Sequence, residues 1–123
     1  MFLLPETIAR QDGKGEEMEL QFRLVRLTLG ITRIIAQESL DVSVWGSADG
    51  EQWQVLLAFP QKFYCGTYPV MMDLSRRQDI RYLRAEWRVG RWNAEPRDPL
   101  FEFYLQAENA LLLETGKVAA YAV

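Results

Sequence analysis

The sequence contains no histidine, only one cysteine and no apolar run approaching the roughly 20 residues that a membrane-spanning helix requires. Histidine is the commonest general base and transition-metal ligand in proteins, so its absence excludes Ser-His and Cys-His catalysis. Cys65 has no second cysteine for an internal disulfide, and we interpret it as a partly buried, inert thiol. We therefore expect no catalytic centre, no cofactor and no metal ion.

The chain also lacks a net positive charge, because 17 acidic residues outnumber 14 basic ones, of which only three are lysines, and the formal net charge is -3. Such a chain has no broad positive field to neutralise a phosphate backbone, so we expect no nucleic-acid partner. The first residues lack the basic and apolar regions of a secretory signal peptide. Together with the single cysteine and the missing membrane helix, this predicts a cytoplasmic protein without a membrane partner.

The chain does contain enough apolar material for one compact core, with hydrophobic residues making up 49% of its 123 positions. Glycine, lysine and acidic residues over positions 5–17 predict a loop or frayed terminus. We therefore predict an N-terminal loop or arm over residues 1–17 and a β-sandwich over residues 18–109. Residues 110–123 are predicted to be a last strand or an arm of the same domain.

Strands are predicted wherever apolar and polar residues alternate, because successive side chains of a strand point to opposite faces. Residues 18–24 alternate cleanly, and the parity then changes near Val25 or Arg26, which we interpret as a β-bulge. Further alternating segments predict strands over residues 40–45, 70–74, 83–89 and 101–105. No window sustains a helical period, so we predict an all-β sandwich of antiparallel strands.

The pair Asp49-Gly50 predicts a hairpin turn, after which residues 52–59 return antiparallel to the preceding strand. Trp53 follows this turn, and Trp87 lies on the apolar parity of its own strand. We therefore predict that both indoles belong to the core. Trp45 has the opposite parity to Val42 and Val44, which predicts an exposed position on the outer face.

Two segments resemble galactose-binding-like domains, the discoidin or coagulation factor type C superfamily. They are LDVSVWGSADGEQW at positions 40–53 and DIRYLRAEW at positions 79–87, in the order and with the separation found in that family. The resemblance implies a jelly-roll sandwich of about eight antiparallel strands. It also implies a binding or assembly module rather than an enzyme, while the pair of terminal cysteines of the extracellular members is missing here.

The loop over residues 90–99 is the predicted ligand site. Trp92 offers an aromatic face, and amide, guanidinium and carboxylate groups accompany it at Asn93, Arg91, Arg97 and Asp98. A sugar presents apolar C–H patches to an aromatic ring and hydroxyl groups to fixed donors and acceptors. The alternative interpretation is that Trp92 folds into the core and the charged residues only solvate the loop.

A second group of aromatic residues has the character of an interface. Phe63, Tyr64 and Tyr68 belong to a predicted loop over residues 61–69, and tyrosine is frequent at subunit contacts. They could equally cover the core. With the exposed Trp45, they form the predicted interaction surface.

Two functions follow from these residues. The first is a non-catalytic binding module for a carbohydrate or another small polar ligand at the loop end of the sandwich. The alternative is an interaction or assembly protein, in which Trp45 and the apolar residues 118–123 form a homo-oligomer or dock on a larger complex.

Replacement of Trp92 by alanine separates the two interpretations of the loop. If Trp92 stacks on a ligand, Trp92→Ala abolishes glycan binding and leaves the urea midpoint of unfolding nearly unchanged. A large fall in the urea midpoint, followed by far-UV circular dichroism, would instead identify Trp92 as a core residue and remove the loop site.

Overall fold

A computed structural model describes residues 1–35, 38–91 and 100–110 of the chain. These residues form nine β-strands, and no helix among them is long and apolar enough to cross a membrane. In chain order the strands are β1 (Phe2–Ala9), β2 (Gly13–Lys14), β3 (Met18–Glu19), β4 (Leu24–Ile35), β5 (Glu38–Ser47), β6 (Gln54–Ala58), β7 (Gly66–Asp73), β8 (Tyr82–Arg91) and β9 (Leu100–Asn109).

The strands form two antiparallel sheets, which confirms the predicted all-β class. The first sheet has the order β1-β9-β4-β7. The second sheet has the order β2-β8-β5-β6, and β3 also pairs with β8. Two antiparallel sheets with a shared apolar interior agree with a β-sandwich.

The core is formed by the inward rows of the central strands. On each of these strands every second side chain is buried, as the alternation of the sequence predicts. Opposed apolar rows of this kind supply most of the favourable free energy of folding. The central rows consist of Val25, Leu27 and Leu29 on β4, Leu40, Val42 and Val44 on β5, Leu83 and Ala85 on β8, and Phe101, Phe103 and Leu105 on β9.

The loop predicted over residues 5–17 is wrong for residues 5–9, which belong to β1, and for residues 13–14, which form β2. Strand β1 pairs with β9, and Leu3, Leu4 and Ala9 are buried. It carries Pro5 and two register shifts, which an edge strand tolerates because one of its sides has no ladder to maintain. Its polar and proline-containing sequence therefore resembles a loop although its backbone is a strand.

The continuous strand predicted over residues 18–24 is also wrong, because residues 20–23 lie between two strands. Strand β3 pairs with β8 in the second sheet, whereas β4 begins at Leu24 in the first. The register between β4 and β7 is unbroken from Leu24 to Ile31, so no bulge lies near Val25 or Arg26. The change of parity marks the passage of the chain from one sheet to the other.

The predicted turn after β5 is confirmed, and β6 returns antiparallel to β5. Gly50 has a φ of 80°, a conformation that glycine adopts without strain. The Asp49 carboxylate accepts hydrogen bonds from the amides of Gln52 and Glu51, both at 2.9 Å. These bonds, with a further one from the Ser47 hydroxyl, lower the pKa of Asp49.

The two tryptophans predicted for the core occupy different places. Trp87 packs against the core, with its ring 5.5 Å from that of Phe103 in an edge-to-face arrangement. Trp53 does not, and its assignment to the core is wrong. It precedes β6, so the strand alternation does not apply to it. Its ring lies 4.2 Å from the guanidinium carbon of Arg84, on the outer side of β8.

We expect Trp87→Ala to destabilise the domain by about 3 kcal/mol, because the substitution leaves a void against the core. Trp53→Ala should cost about 1 kcal/mol or less, since it removes a partly exposed cation–π contact. Urea denaturation followed by circular dichroism measures both. Equal decreases in the free energy of unfolding of the two variants would contradict the assignment of the indoles to different faces.

Candidate functional site

The predicted loop site lies almost entirely outside the described residues. Trp92, Asn93, Arg97 and Asp98 fall in the gap after β8. Arg91 is the last residue of that strand, where its backbone is opposite Glu38. The loop site therefore stays a prediction.

Tyr68 lies in β7 rather than in the loop predicted over residues 61–69. It is opposite the buried Leu29, and it packs against the core because that row faces inward. Its hydroxyl donates a hydrogen bond of 2.7 Å to the carbonyl of Tyr64, and the ammonium of Lys62 lies 4.0 Å from its ring centroid. Tyr68 thus covers the core and fastens the segment before β7.

The segment before β7 presents Tyr64 and Cys65 at the surface. The Tyr64 side chain is 77% exposed, which keeps it available for the predicted interface. Its ring centroid is 6.5 Å from that of Phe63. Cys65 is exposed, so the prediction of a partly buried thiol is wrong. The segment is irregular at this position, and strand parity does not direct the thiol inward.

An open cleft of about 600 Å³ lies on the outer face of the second sheet. Of the predicted site residues that the structure describes, Trp45 is the one that lines it. The cleft crosses all four strands of the sheet order and includes the segment before β2. Its lining residues are Asp12, Gly13, Lys14, Asp41, Val42, Ser43, Trp45, Ala58, Phe59, Glu86, Trp87 and Arg88.

The floor of the cleft is low because two small side chains lie there. Ser43 on β5 is directly opposite Ala58 on β6, so the floor between the larger neighbours is low. The indole of Trp45 donates a hydrogen bond of 2.9 Å from Nε1 to the Ser43 hydroxyl. Because this bond spans two positions of one strand, the ring leans along β5 over the floor and forms a wall of the cleft.

The opposite wall is a strap formed by residues 11–14. Asp12 accepts a hydrogen bond of 2.8 Å from the Val89 amide, and Trp87 donates one of 3.1 Å from Nε1 to the Gln11 carbonyl. A Cβ atom at Gly13 would lie 2.5 Å from the Trp87 ring, so only glycine permits this approach. The strap is therefore fastened to the same indole that packs on the core.

Charged groups of both signs surround the floor. The Glu86 carboxylate is held by Arg84 at 3.0 Å, and that of Asp41 accepts a hydrogen bond of 3.1 Å from the Gln61 amide. In the described ranges, no group of three or more acidic or cysteine side chains is arranged to hold a metal ion. The arrangement can stack a ring on an indole and bond polar groups at its sides.

A scan of protein-family models, a search of curated proteins and a search of solved structures found no match to this chain. The resemblance to galactose-binding-like domains therefore rests on residues 40–53 and 79–87 alone. The cleft is assigned as the candidate site on its own geometry.

Sequence reasoning missed every cleft residue except Trp45. The outward parity of β5 and β8 was visible in the sequence, and it includes Ser43, Glu86 and Arg88. The sequence did not show that β2 lies beside β8, which brings Lys14 to the same surface.

Removal of the Asp12 carboxylate tests the strap. In Asp12→Ala we expect the Val89 amide to exchange with deuterium about tenfold faster, which corresponds to the loss of one hydrogen bond. Asp12→Asn is the control, because its amide oxygen can still accept the bond. Unchanged exchange of the Val89 amide in Asp12→Ala, measured by NMR, would show that the strap is held by other contacts.

Proposed function

We propose that this protein is a non-catalytic binding module, and that its ligand is a carbohydrate or another small polar molecule lying against Trp45 in the cleft. The observation that carries the proposal is the combination, in one open cleft of about 600 Å³, of an indole wall with charged and hydroxyl groups. This volume falls within the range of about 300–1,000 Å³ typical of ligand sites.

The chemistry of the cleft suits a sugar ring. An indole face accepts the apolar C–H patch of a pyranose, and the hydroxyl groups of the sugar can bond to carboxylate, guanidinium and ammonium groups. Trp45 and Ser43 belong to a central strand, and their mutual hydrogen bond limits the motion of the indole. A site on such a rigid element loses little conformational entropy when the ligand binds.

A jelly-roll topology of the galactose-binding-like type is part of this proposal, because binding modules of that superfamily motivate it. The predicted loop residues lie outside the described part of the chain, so the proposal rests on the cleft alone.

The alternative is an assembly protein, and the exposed apolar residues of the first sheet favour it. Phe2, Ile8 and Met71 are 53%, 54% and 47% exposed. Phe2 lies edge-to-face against Tyr104 at 5.8 Å. The three exposed residues lie on the two edge strands of the sheet, β1 and β7, where exposed apolar side chains are compatible with contact to a second copy or a larger complex. Light scattering tests the homo-oligomer form of this alternative, which requires an oligomer in solution, whereas ligand binding requires only a monomer.

Two tryptophan variants test the binding function on a glycan array. Trp45→Ala removes the wall of the cleft, so we expect it to lower affinity at least tenfold, in keeping with the loss of about 1.4 kcal/mol or more of stacking energy. Trp53→Ala is the matched control, because this indole lies on the same side of the sheet but outside the cleft lining and beneath Arg84.

The expected pattern is binding by the wild type and Trp53→Ala, with loss in Trp45→Ala. An array on which the folded wild type binds no glycan or other small polar compound would contradict the proposed function. Equal affinity of Trp45→Ala and the wild type would move the site away from the cleft.

A further inference from the structure

The register of the second sheet places opposite charges directly across from one another in the cleft. Lys14 on β2 is opposite Glu86 on β8, and Arg88 on β8 is opposite Asp41 on β5. Cross-strand neighbours of opposite charge ordinarily attract and pair. From the register alone, two ion pairs are expected in the cleft, Lys14–Glu86 and Arg88–Asp41.

Neither of these ion pairs is formed. The Glu86 carboxylate is bonded instead by the Nε and Nη2 atoms of Arg84, at 3.1 and 3.0 Å. The Asp41 carboxylate accepts a hydrogen bond from Gln61. In the part of the chain that the structure describes, the only ion pairs are Arg84–Glu86 and one in the segment after β7. Lys14 and Arg88 therefore have no carboxylate partner among the described residues.

The two unpaired cations are neighbours. Arg88 is two positions beyond Glu86, so it is the diagonal neighbour of Lys14, at about 7–8 Å between Cα atoms. Both side chains line the cleft, and they offer eight N–H donors but no acceptor. Their mutual repulsion falls when an anionic group lies between them. Three carboxylates also line the cleft, and each already accepts a hydrogen bond: Asp12 from the Val89 amide, Asp41 from Gln61 and Glu86 from Arg84.

We infer that the ligand is an acidic saccharide, with its anionic group bound between Lys14 and Arg88 and a sugar ring packed against Trp45. This inference rests on the proposed function, since it names the ligand class of the same cleft. Trp45 is four positions along β5 from Asp41, about 13 Å, and its indole leans back toward Ser43. A chain of two or more sugar units spans the cations and the indole.

The test compares acidic oligosaccharides with neutral counterparts that differ only at the carboxyl group. Trisaccharides of galacturonate, glucuronate, mannuronate and guluronate are titrated calorimetrically beside their carboxyl-reduced forms. A sulfated trisaccharide distinguishes a sulfate ester from a carboxylate as the source of the charge. For at least one acidic probe we expect at least tenfold tighter binding than for its neutral form, with affinity falling as salt is raised.

Charge-removing variants assign that preference to the two residues. Lys14→Gln and Arg88→Gln should each reduce the acidic preference severalfold, and in the double variant the acidic and neutral forms should bind with equal affinity. Arg76→Gln, an exposed arginine outside the cleft, is the matched control and should keep the preference.

The outcomes separate the two proposals. Trp45-dependent binding of neutral saccharides that is as tight as that of acidic ones would overturn this inference and leave the proposed function intact. An acidic preference that survives in the double variant would also overturn it. Binding of no saccharide, acidic or neutral, would overturn the inference and the carbohydrate function together.

Discussion

Packing between the inward rows of the two sheets is the interaction on which the rest of this structure depends. Each central strand buries one row of side chains, and the two-residue period then fixes which side chains form the outer row. On β8 the buried row includes Leu83 and Ala85, whereas Arg84, Glu86 and Arg88 face outward. A slip of one residue would exchange these rows and remove both the core and the cleft. The geometry of the cleft is therefore a consequence of the packing of the core.

Trp87 links that core to the wall of the cleft. Its ring packs edge-to-face on Phe103 of the first sheet, and its Nε1 atom holds the carbonyl of Gln11 in the strap. The strap brings Lys14 beside Glu86, so one side chain supports both the sandwich and the cation pair. This coupling means that substitutions at Trp87 cannot separate stability from binding. Substitutions at outward positions such as Trp45 and Arg88 can change binding without a large change in stability, because these side chains take little part in the core.

The sequence predicted the central strands well, because burial on one face imposes a strict alternation that is readable along the chain. It did not reveal β1, since an edge strand tolerates proline and polar residues. The passage between sheets at residues 20–23 resembled a bulge, because both produce the same change of parity. Of the candidate site, only Trp45 was predicted, although the outward parity of Ser43, Glu86 and Arg88 was readable in the sequence. Lys14 joins Arg88 through the pairing of β2 with β8, a long-range contact that no local pattern records.

The signals of the indole N–H groups in a nitrogen-correlated NMR spectrum test the central claim most directly, because the chain has four tryptophans and the three described ones, Trp45, Trp53 and Trp87, lie in different environments. Single tryptophan-to-phenylalanine variants assign the four signals, and an oligosaccharide selected on the array is then titrated into the labelled protein. If the ligand lies in the cleft, the Trp45 signal shifts most, because its Nε1–H bonds to Ser43 within the site. Movement of the Trp92 signal alone, with the Trp45 signal unchanged, would contradict the assignment of the site to the cleft.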